Sequence, residues 1–154
     1  MSGSAHVRPG LIALVGVGGA IGTAARYGLS QAIPSSGGWP MATFTANLLG
    51  ALLLGALLET LVRRGPEAPR EQRLRLGLGT GLLGGFTTFS SLAIEIERLV
   101  ADGHGVLGLT YGLLSVVLGV GCCLLGVIAA ARHHHWRSGR LPVDPDTARQ
   151  RVVE

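Results

Sequence analysis

Four long, predominantly apolar stretches limit what this chain can fold into more than any other feature. They cover residues 11–33, 40–62, 75–100 and 105–131. A bilayer core about 30 Å thick needs roughly 20 consecutive apolar residues of helix. Each stretch is long enough to cross it, so the sequence predicts an all-α integral membrane protein with four transmembrane helices.

The composition excludes several classes of soluble protein. Charged residues make up 14% of the chain, against about 25% in soluble globular proteins. All thirteen basic residues are arginines, and most of them flank the apolar stretches, which indicates a juxtamembrane position and not a nucleic-acid partner. The only cysteines, Cys122 and Cys123, are adjacent and poorly placed for a disulfide. No nucleotide-binding motif or nucleophile–base pair is evident, so the chain is not predicted to be an enzyme.

The arginines outside the apolar central parts of the spans predict the orientation of the chain. With four spans, both termini and the second loop share one side, which carries eleven arginines against Arg98 alone on the other. The positive-inside rule places the richer side in the cytoplasm. We therefore predict a multi-pass protein with both termini cytoplasmic, a membrane domain at residues 1–136 and a disordered cytoplasmic tail at 137–154.

The first span admits two other interpretations. A short basic start before an apolar run is compatible with a cleavable signal peptide, and the glycine spacing from Gly16 imitates a dinucleotide-binding turn. No acidic residue follows at the required distance, however, and further membrane-length stretches come next. Gly18-x-x-x-Gly22 and Gly108-x-x-x-Gly112 are instead predicted to let helices approach closely.

Polar residues inside the predicted spans are the candidates for function, because polar groups are expensive in a bilayer. Serine and threonine often bond back to their own helix, whereas the amide of Asn47 would seek a neighbouring helix or a permeating ion. The set comprises Arg26, Thr43, Thr45, Asn47, Thr87, Thr88, Ser90, Ser91, Glu95, Tyr111 and Ser115.

The third stretch is a poor continuous helix. Five glycines crowd residues 77–85, and Thr-Thr-Phe-Ser-Ser follows at 87–91. Glycine costs about 1 kcal/mol relative to alanine in a helix, so the sequence predicts a broken third helix with the break near residues 84–88. Glycines that serve only helix packing are the alternative explanation.

Three motifs occur in order along the spans: GGAIGTAARY at 18–27, TFTANLLG at 43–50 and GGFTTFS at 84–90. Together with Tyr111 and Ser115 in the fourth span, they resemble the bacterial Fluc-type fluoride channels, also called the CrcB family. The resemblance covers residues 16–126.

This resemblance implies an antiparallel dimer with two narrow pores, whose broken third helices meet at the dimer centre. It implies a fluoride-selective channel in the bacterial inner membrane that gives passive fluoride efflux and reduces fluoride toxicity in the cytoplasm. It also implies one structural sodium ion, Na+, shared by both subunits and bound through the backbone carbonyls of Gly84 and Thr87.

The resemblance further implies roles for individual side chains. Asn47 would hydrogen-bond or position fluoride beside the pore, and Phe89 would present its electropositive ring edge to the anion. Arg26 would supply a positive field near the pore mouth, unless it is a packing or snorkelling arginine. A polar track along the pore would be formed by Thr88, Ser91, Tyr111 and Ser115.

Leu92 departs from the family pattern, because a second pore aromatic is usual there. The arginine asymmetry also argues against insertion in both orientations, which an antiparallel homodimer requires. We therefore predict pairing with a homologous second subunit of opposite charge bias that supplies the missing aromatic. The sequence leaves open the choice between homodimer and heterodimer, the conductance and selectivity, and the effect of Leu92 on flux.

Two other functions remain as alternatives. A small four-span multidrug exporter has a similar size and pairing, but it uses a membrane-embedded glutamate in its first span, where this chain has Arg26. The second alternative is a non-conducting partner subunit of a heterodimeric fluoride channel, which Leu92 would favour if it impairs conduction.

Overall fold

The computed structural model describes residues 8–33, 38–66 and 68–138, and every regular element in these ranges is helical. The prediction of an all-α protein is therefore confirmed. The elements are α1 (Pro9–Ala32), α2 (Met41–Val62), α3 (Pro69–Leu74), a π-helical segment (Arg75–Leu83, the π segment), α4 (Gly84–Phe86), α5 (Phe89–Ala101) and α6 (Gly105–Ser138).

Three helices among the described residues are long and apolar enough to cross a membrane, namely α1, α2 and the Gly105–His134 part of α6. The third predicted stretch corresponds to α3, the π segment, α4 and α5, which we call the third span. This arrangement fits four helices.

Two boundaries differ from the prediction. The third span begins at Pro69 instead of residue 75, because the charged segment before the apolar run is already helical. Helix α6 continues to Ser138, so residues 137 and 138, assigned above to a disordered tail, are helical. The rest of the predicted tail, 139–154, lies outside the described residues.

Local sequence signals explain where several helices begin and end. Pro9 and Pro69 each occupy the first turn of a helix, where the missing N–H would have had no partner in the helix. After α5, Gly103 adopts a φ of +82°, which glycine tolerates without steric strain. The next N–H, of His104, donates to the carbonyl of Leu99 at 2.8 Å, so α5 ends sharply and α6 returns beside it.

Helix α1 packs directly on the backbone of the third span. Gly18 and Gly22 are both buried. A Cβ atom at Gly18 would lie 2.5 Å from the carbonyl oxygen of Gly77, and one at Gly22 would overlap the carbonyl oxygen of Leu82. The predicted packing role of this glycine pair is confirmed, because no side chain fits between the two backbones.

Glycines also mediate the contacts of α6. A Cβ atom at Gly112 would lie 2.8 Å from Cδ1 of Ile96 in α5, as expected for its predicted packing role. On the other side, Gly55 of α2 lies against the backbone of Cys123. Both cysteines are unpaired thiols, and α2 and α6 form the most extensive helix pair.

A small apolar core lies between α5, α6 and the start of α2. Its buried members are Leu92, Leu99 and Tyr111, and Trp39, Phe44, Ile96 and Leu107 pack against it. Most other large apolar side chains are exposed along the helices. Such extended apolar surfaces mark contacts with a membrane or with another protein.

Candidate functional site

The helical backbone of the third span is interrupted at Thr87 and Thr88. Their φ and ψ angles are −82° and 157°, and −153° and 119°, so both residues are extended. The carbonyl of Leu83 accepts hydrogen bonds from the N–H and the hydroxyl of Thr87, each at 2.9 Å. The hydroxyl of Thr88 then accepts the N–H of Ser91 at 3.2 Å and caps α5. These bonds satisfy the carbonyl of Leu83 before the interruption and the N–H of Ser91 after it.

The side-chain amide of Asn47 holds this interruption from α2. Its Nδ2 donates to the carbonyl of Thr88 at 3.0 Å, and its Oδ1 accepts the N–H of Thr88 at 2.8 Å. Both polar backbone groups of Thr88 thus receive partners that a continuous helix would otherwise supply. We call this pair of hydrogen bonds the Asn47 clamp. It leaves one Nδ2 hydrogen for another acceptor.

Helix α1 contacts the same region through the carbonyl of Gly85. The hydroxyl of Thr23 donates to it at 3.4 Å, and Nε of Arg26 donates at 3.5 Å. These are long, weak hydrogen bonds. Arg26 forms no ion pair with another described residue, so it brings an uncompensated positive charge to the interruption.

An open cavity of about 410 Å³ lies beside the interruption. Its walls come from α2, the third span and α6, and most of them are apolar. The ring of Phe89 lines this cavity and is 78% exposed. The polar wall residues are Asn47, Thr87, Thr88 and Ser115. We call this space the break cavity.

The four residues predicted to form a polar track are not equivalent. Thr88 and Ser115 line the break cavity, although Ser115 is only 6% exposed and donates to the carbonyl of Tyr111 at 2.7 Å. The hydroxyl of Ser91 accepts from that of Thr88 at 3.1 Å. Tyr111 is fully buried in the apolar core, so the structure does not bring it to the cavity wall.

Glu95, one of the polar residues inside the predicted spans, forms a polar network with residues of two other helices. Its Oε1 accepts the hydroxyl of Thr43 at 2.6 Å, and its Oε2 accepts the hydroxyl of Tyr111 at 2.7 Å. Trp39 packs edge-on against Tyr111 with ring centroids 5.3 Å apart. The signal in the sequence was an acidic residue inside a span, which is rare and usually paired. The hydrogen bonds of Glu95 connect α2, α5 and α6. The sequence of a single stretch does not predict these partners.

The predicted sodium ligands, Gly84 and Thr87, both line the break cavity. Neither of their carbonyls accepts a hydrogen bond from the described part of the chain, whereas those of Leu83 and Gly85 do. Free carbonyl oxygens are suitable ligands for a hard cation. Two carbonyls fill only part of a coordination shell, so the residues fit such an ion if a second chain adds more oxygens.

Within the described ranges, no group of three or more His, Cys, Asp or Glu side chains forms a metal site. The resemblance implies that a cation at this position would be bound through backbone oxygens.

Comparisons with known proteins identify the family to which the chain is similar. Residues 13–127 match the family model described as CrcB-like protein, Camphor Resistance (CrcB). Fluoride-specific ion channel FluC 2 of Leifsonia xyli subsp. xyli is 40% identical over 126 residues, which is 82% of this chain and 87% of that protein. FluC 1 of Cutibacterium acnes is 44% identical over 131 residues, covering 84% and 90%. FluC of Phenylobacterium zucineum is 43% identical over 121 residues, covering 77% and 94%.

Proposed function

Because the chain belongs to the CrcB family, we propose that it is a fluoride-selective ion channel that gives passive fluoride efflux and reduces fluoride toxicity in the cytoplasm. The family match confirms the resemblance of the motifs and covers most of the membrane domain. The chain is a multi-pass membrane protein, and the channel names of its relatives confirm the prediction that it is not an enzyme.

The observation that carries this proposal is the interrupted third span beside the break cavity. Irregular backbone at membrane depth persists only where protein buries it or where it lines a cavity. A filter for a small, strongly hydrated anion must replace water with hydrogen-bond donors and ring edges without binding too firmly. The free Nδ2 hydrogen of Asn47 and the exposed ring of Phe89 provide both kinds of group.

The contacts support distinct roles for the polar residues. Asn47 acts first by holding Thr88 in place and second by offering its remaining N–H to fluoride. Thr88 and Ser115 line the cavity and form the polar path with Ser91, which accepts a hydrogen bond from the hydroxyl of Thr88. Tyr111 acts indirectly, because its hydroxyl fixes Glu95 and does not face the cavity. Arg26 favours anions near the interruption by its charge.

The same proposal places a structural sodium ion at Gly84 and Thr87, shared between two subunits. The support is that both carbonyls lie at the cavity and accept no hydrogen bond from described residues. The ion would supply a fixed positive charge where the two interrupted spans meet. The residues of this chain would hold it through neutral oxygens, so the site carries no compensating carboxylate.

We infer an antiparallel dimer in the bacterial inner membrane, with both termini of this subunit cytoplasmic. The open break cavity and the exposed ring of Phe89 support a second subunit on this face. The arginine asymmetry supports one fixed orientation and hence a heterodimer. Leu92 also supports it, because this side chain is 5% exposed and packs in its own subunit's core, so a second pore aromatic would have to come from the partner.

The alternatives differ in their support. Arg26 stands where an exporter would need a membrane-embedded glutamate, and nothing in the site favours that function. A non-conducting partner subunit is favoured by one observation only, which is the aliphatic Leu92 at the edge of the cavity.

Fluoride efflux from liposomes tests the proposal. The purified full-length protein is reconstituted alone, and external fluoride is followed by a selective electrode with chloride-loaded liposomes as the control. Rapid efflux of fluoride but not chloride would support a self-sufficient channel. Efflux that appears only with a homologous second subunit would support the heterodimer. Folded protein that passes no fluoride in either reconstitution would refute the proposed function.

A further inference from the structure

A second cavity lies between α1 and the π segment, apart from the break cavity. It has a volume of about 380 Å³, and none of its wall residues is shared with the break cavity. Its walls are almost wholly apolar and include Val17, Ile21, Leu78 and Leu82. Gly18 and Gly77, whose backbones touch, also line it. We call it the α1 groove.

Two arginines of the neighbouring α3 form part of the wall of the α1 groove. Arg70 and Arg73 of α3 both line it. Arg73 and Leu14 also line an adjoining cavity of about 440 Å³, whose wall includes Arg8 and Gln72. The two cavities therefore join an apolar groove to a cationic recess.

The three arginines are available to an anion. Arg8, Arg70 and Arg73 are exposed, and none of them forms an ion pair with another described residue. They belong to the side of the membrane that the sequence predicts to carry eleven of the thirteen arginines. Arginine binds phosphate through planar, paired hydrogen bonds, and basic pockets beside spans bind acidic lipid headgroups.

We propose that the α1 groove and the adjoining recess bind one anionic glycerophospholipid from the arginine-rich leaflet. The headgroup phosphate contacts Arg70 and Arg73, with Arg8 completing the recess, and one acyl chain lies along Val17 and Ile21. The bound lipid covers the contact between α1 and the π segment. This proposal concerns lipid binding and does not rest on the fluoride function.

The competing occupant is a second copy or a homologous subunit. An antiparallel partner would bring its acidic loop end, with residues equivalent to Glu97 and Asp102, to the same side as these arginines. The groove, however, shares no residue with the break cavity, where the subunits are proposed to meet. A phospholipid fits both parts of the site, because its acyl chain is complementary to the apolar groove and its phosphate to the cationic recess.

Native mass spectrometry of the full-length protein in detergent tests the site. Phosphatidylglycerol and phosphatidylcholine with identical acyl chains are titrated separately, and we expect phosphatidylglycerol to bind about tenfold more tightly. R73Q should weaken its binding about fivefold, and R70Q with R73Q about thirtyfold. R64Q is the matched control, because Arg64 is an exposed arginine of the same side that lines neither cavity.

A groove-filling variant tests the acyl chain independently of charge. Ile21→Trp should weaken binding of both lipids, because Ile21 is 54% exposed and lines the groove. Thermal unfolding would verify that each variant is folded. Equal affinity for the two lipids, an equal loss with R64Q, or crosslinking of residue 21 to a partner subunit that excludes lipid would overturn the proposal. Fluoride efflux is measured separately, so a loss of the channel function and a loss of the lipid site are distinguishable.

Discussion

Replacing Asn47 separates its structural role from its role toward the anion. In the structure the amide both donates to and accepts from the backbone of Thr88. Asn47→Leu removes both hydrogen bonds with little change in size. Asn47→Asp keeps an acceptor for the Thr88 N–H but loses the donor to its carbonyl. The two variants therefore damage the clamp to different extents.

The structure gives the expected magnitudes. Leaving a partly buried donor or acceptor without a partner costs about 1–3 kcal/mol, so Asn47→Leu should lower the free energy of unfolding by about 2–6 kcal/mol. Asn47→Asp should lose about half as much from the clamp. The added carboxylate would repel an anion 4 Å away by about 4 kcal/mol at an effective dielectric of 20. We therefore expect its fluoride flux to fall at least about a hundredfold.

Two assays on the same preparations measure these effects. Thermal or denaturant unfolding in detergent gives the stability, and fluoride efflux from liposomes gives the flux. Thr45→Val is the matched control, because Thr45 lies on α2 within the same motif but outside the break cavity. It should leave the flux close to that of the wild type.

Two results would contradict these two roles of Asn47. If Asn47→Leu unfolds at the same temperature as the wild type, the clamp does not hold the interruption. If Asn47→Asp conducts as well as the control, the residue does not face the anion.

Three further predictions follow from single contacts. Gly22→Ala should destabilise the protein by about 1–3 kcal/mol in unfolding measurements, since its Cβ would overlap the carbonyl of Leu82. Gly16→Ala, with no atom near its Cβ position, should not, and equal effects would contradict the backbone contact. Tyr111→Phe should lower the free energy of unfolding by about 1–3 kcal/mol, because Glu95 loses a donor. The control Tyr27→Phe, at a residue 64% exposed, should have little effect, so similar losses would refute the Glu95 network. Phe89→Leu should leave unfolding unchanged, because the ring is 78% exposed, but should reduce fluoride efflux about tenfold. The control Val106→Ala, at an exposed residue, should leave the fluoride flux unchanged. An unchanged flux in Phe89→Leu would show that Phe89 is not in the ion path.

Sequence patterns predicted the parts of the structure that depend on local composition. The length of the apolar stretches predicted the helices. The spacing of Gly18 and Gly22 predicted a close helix contact, which the structure shows with the third span. The crowd of glycines before Thr87 indicated a weak helix. It did not indicate π-helical geometry over Arg75–Leu83. Glycine can adopt many backbone conformations of similar energy, and the packing of the neighbouring helices determines which one is formed.

The contacts between spans were not predictable in the same way. Asn47 was expected to seek a partner, but its partner on the third span depends on how α2 lies beside the interruption. Tyr111 was assigned to a polar track, yet packing with Trp39 and a hydrogen bond to Glu95 hold it in the core. Asn47 and Thr88 are 41 positions apart in the sequence, so the pattern of one stretch does not reveal that they are in contact.

Whether fluoride efflux is passive distinguishes a channel from a coupled exporter. Liposomes loaded with fluoride and containing the conduction-competent dimer are examined with and without a proton gradient, with the membrane potential set by a potassium ionophore. For a channel we expect efflux whose rate follows the fluoride gradient and the potential and needs no proton gradient. Efflux that stops when the proton gradient is removed would contradict a channel and indicate a coupled exporter.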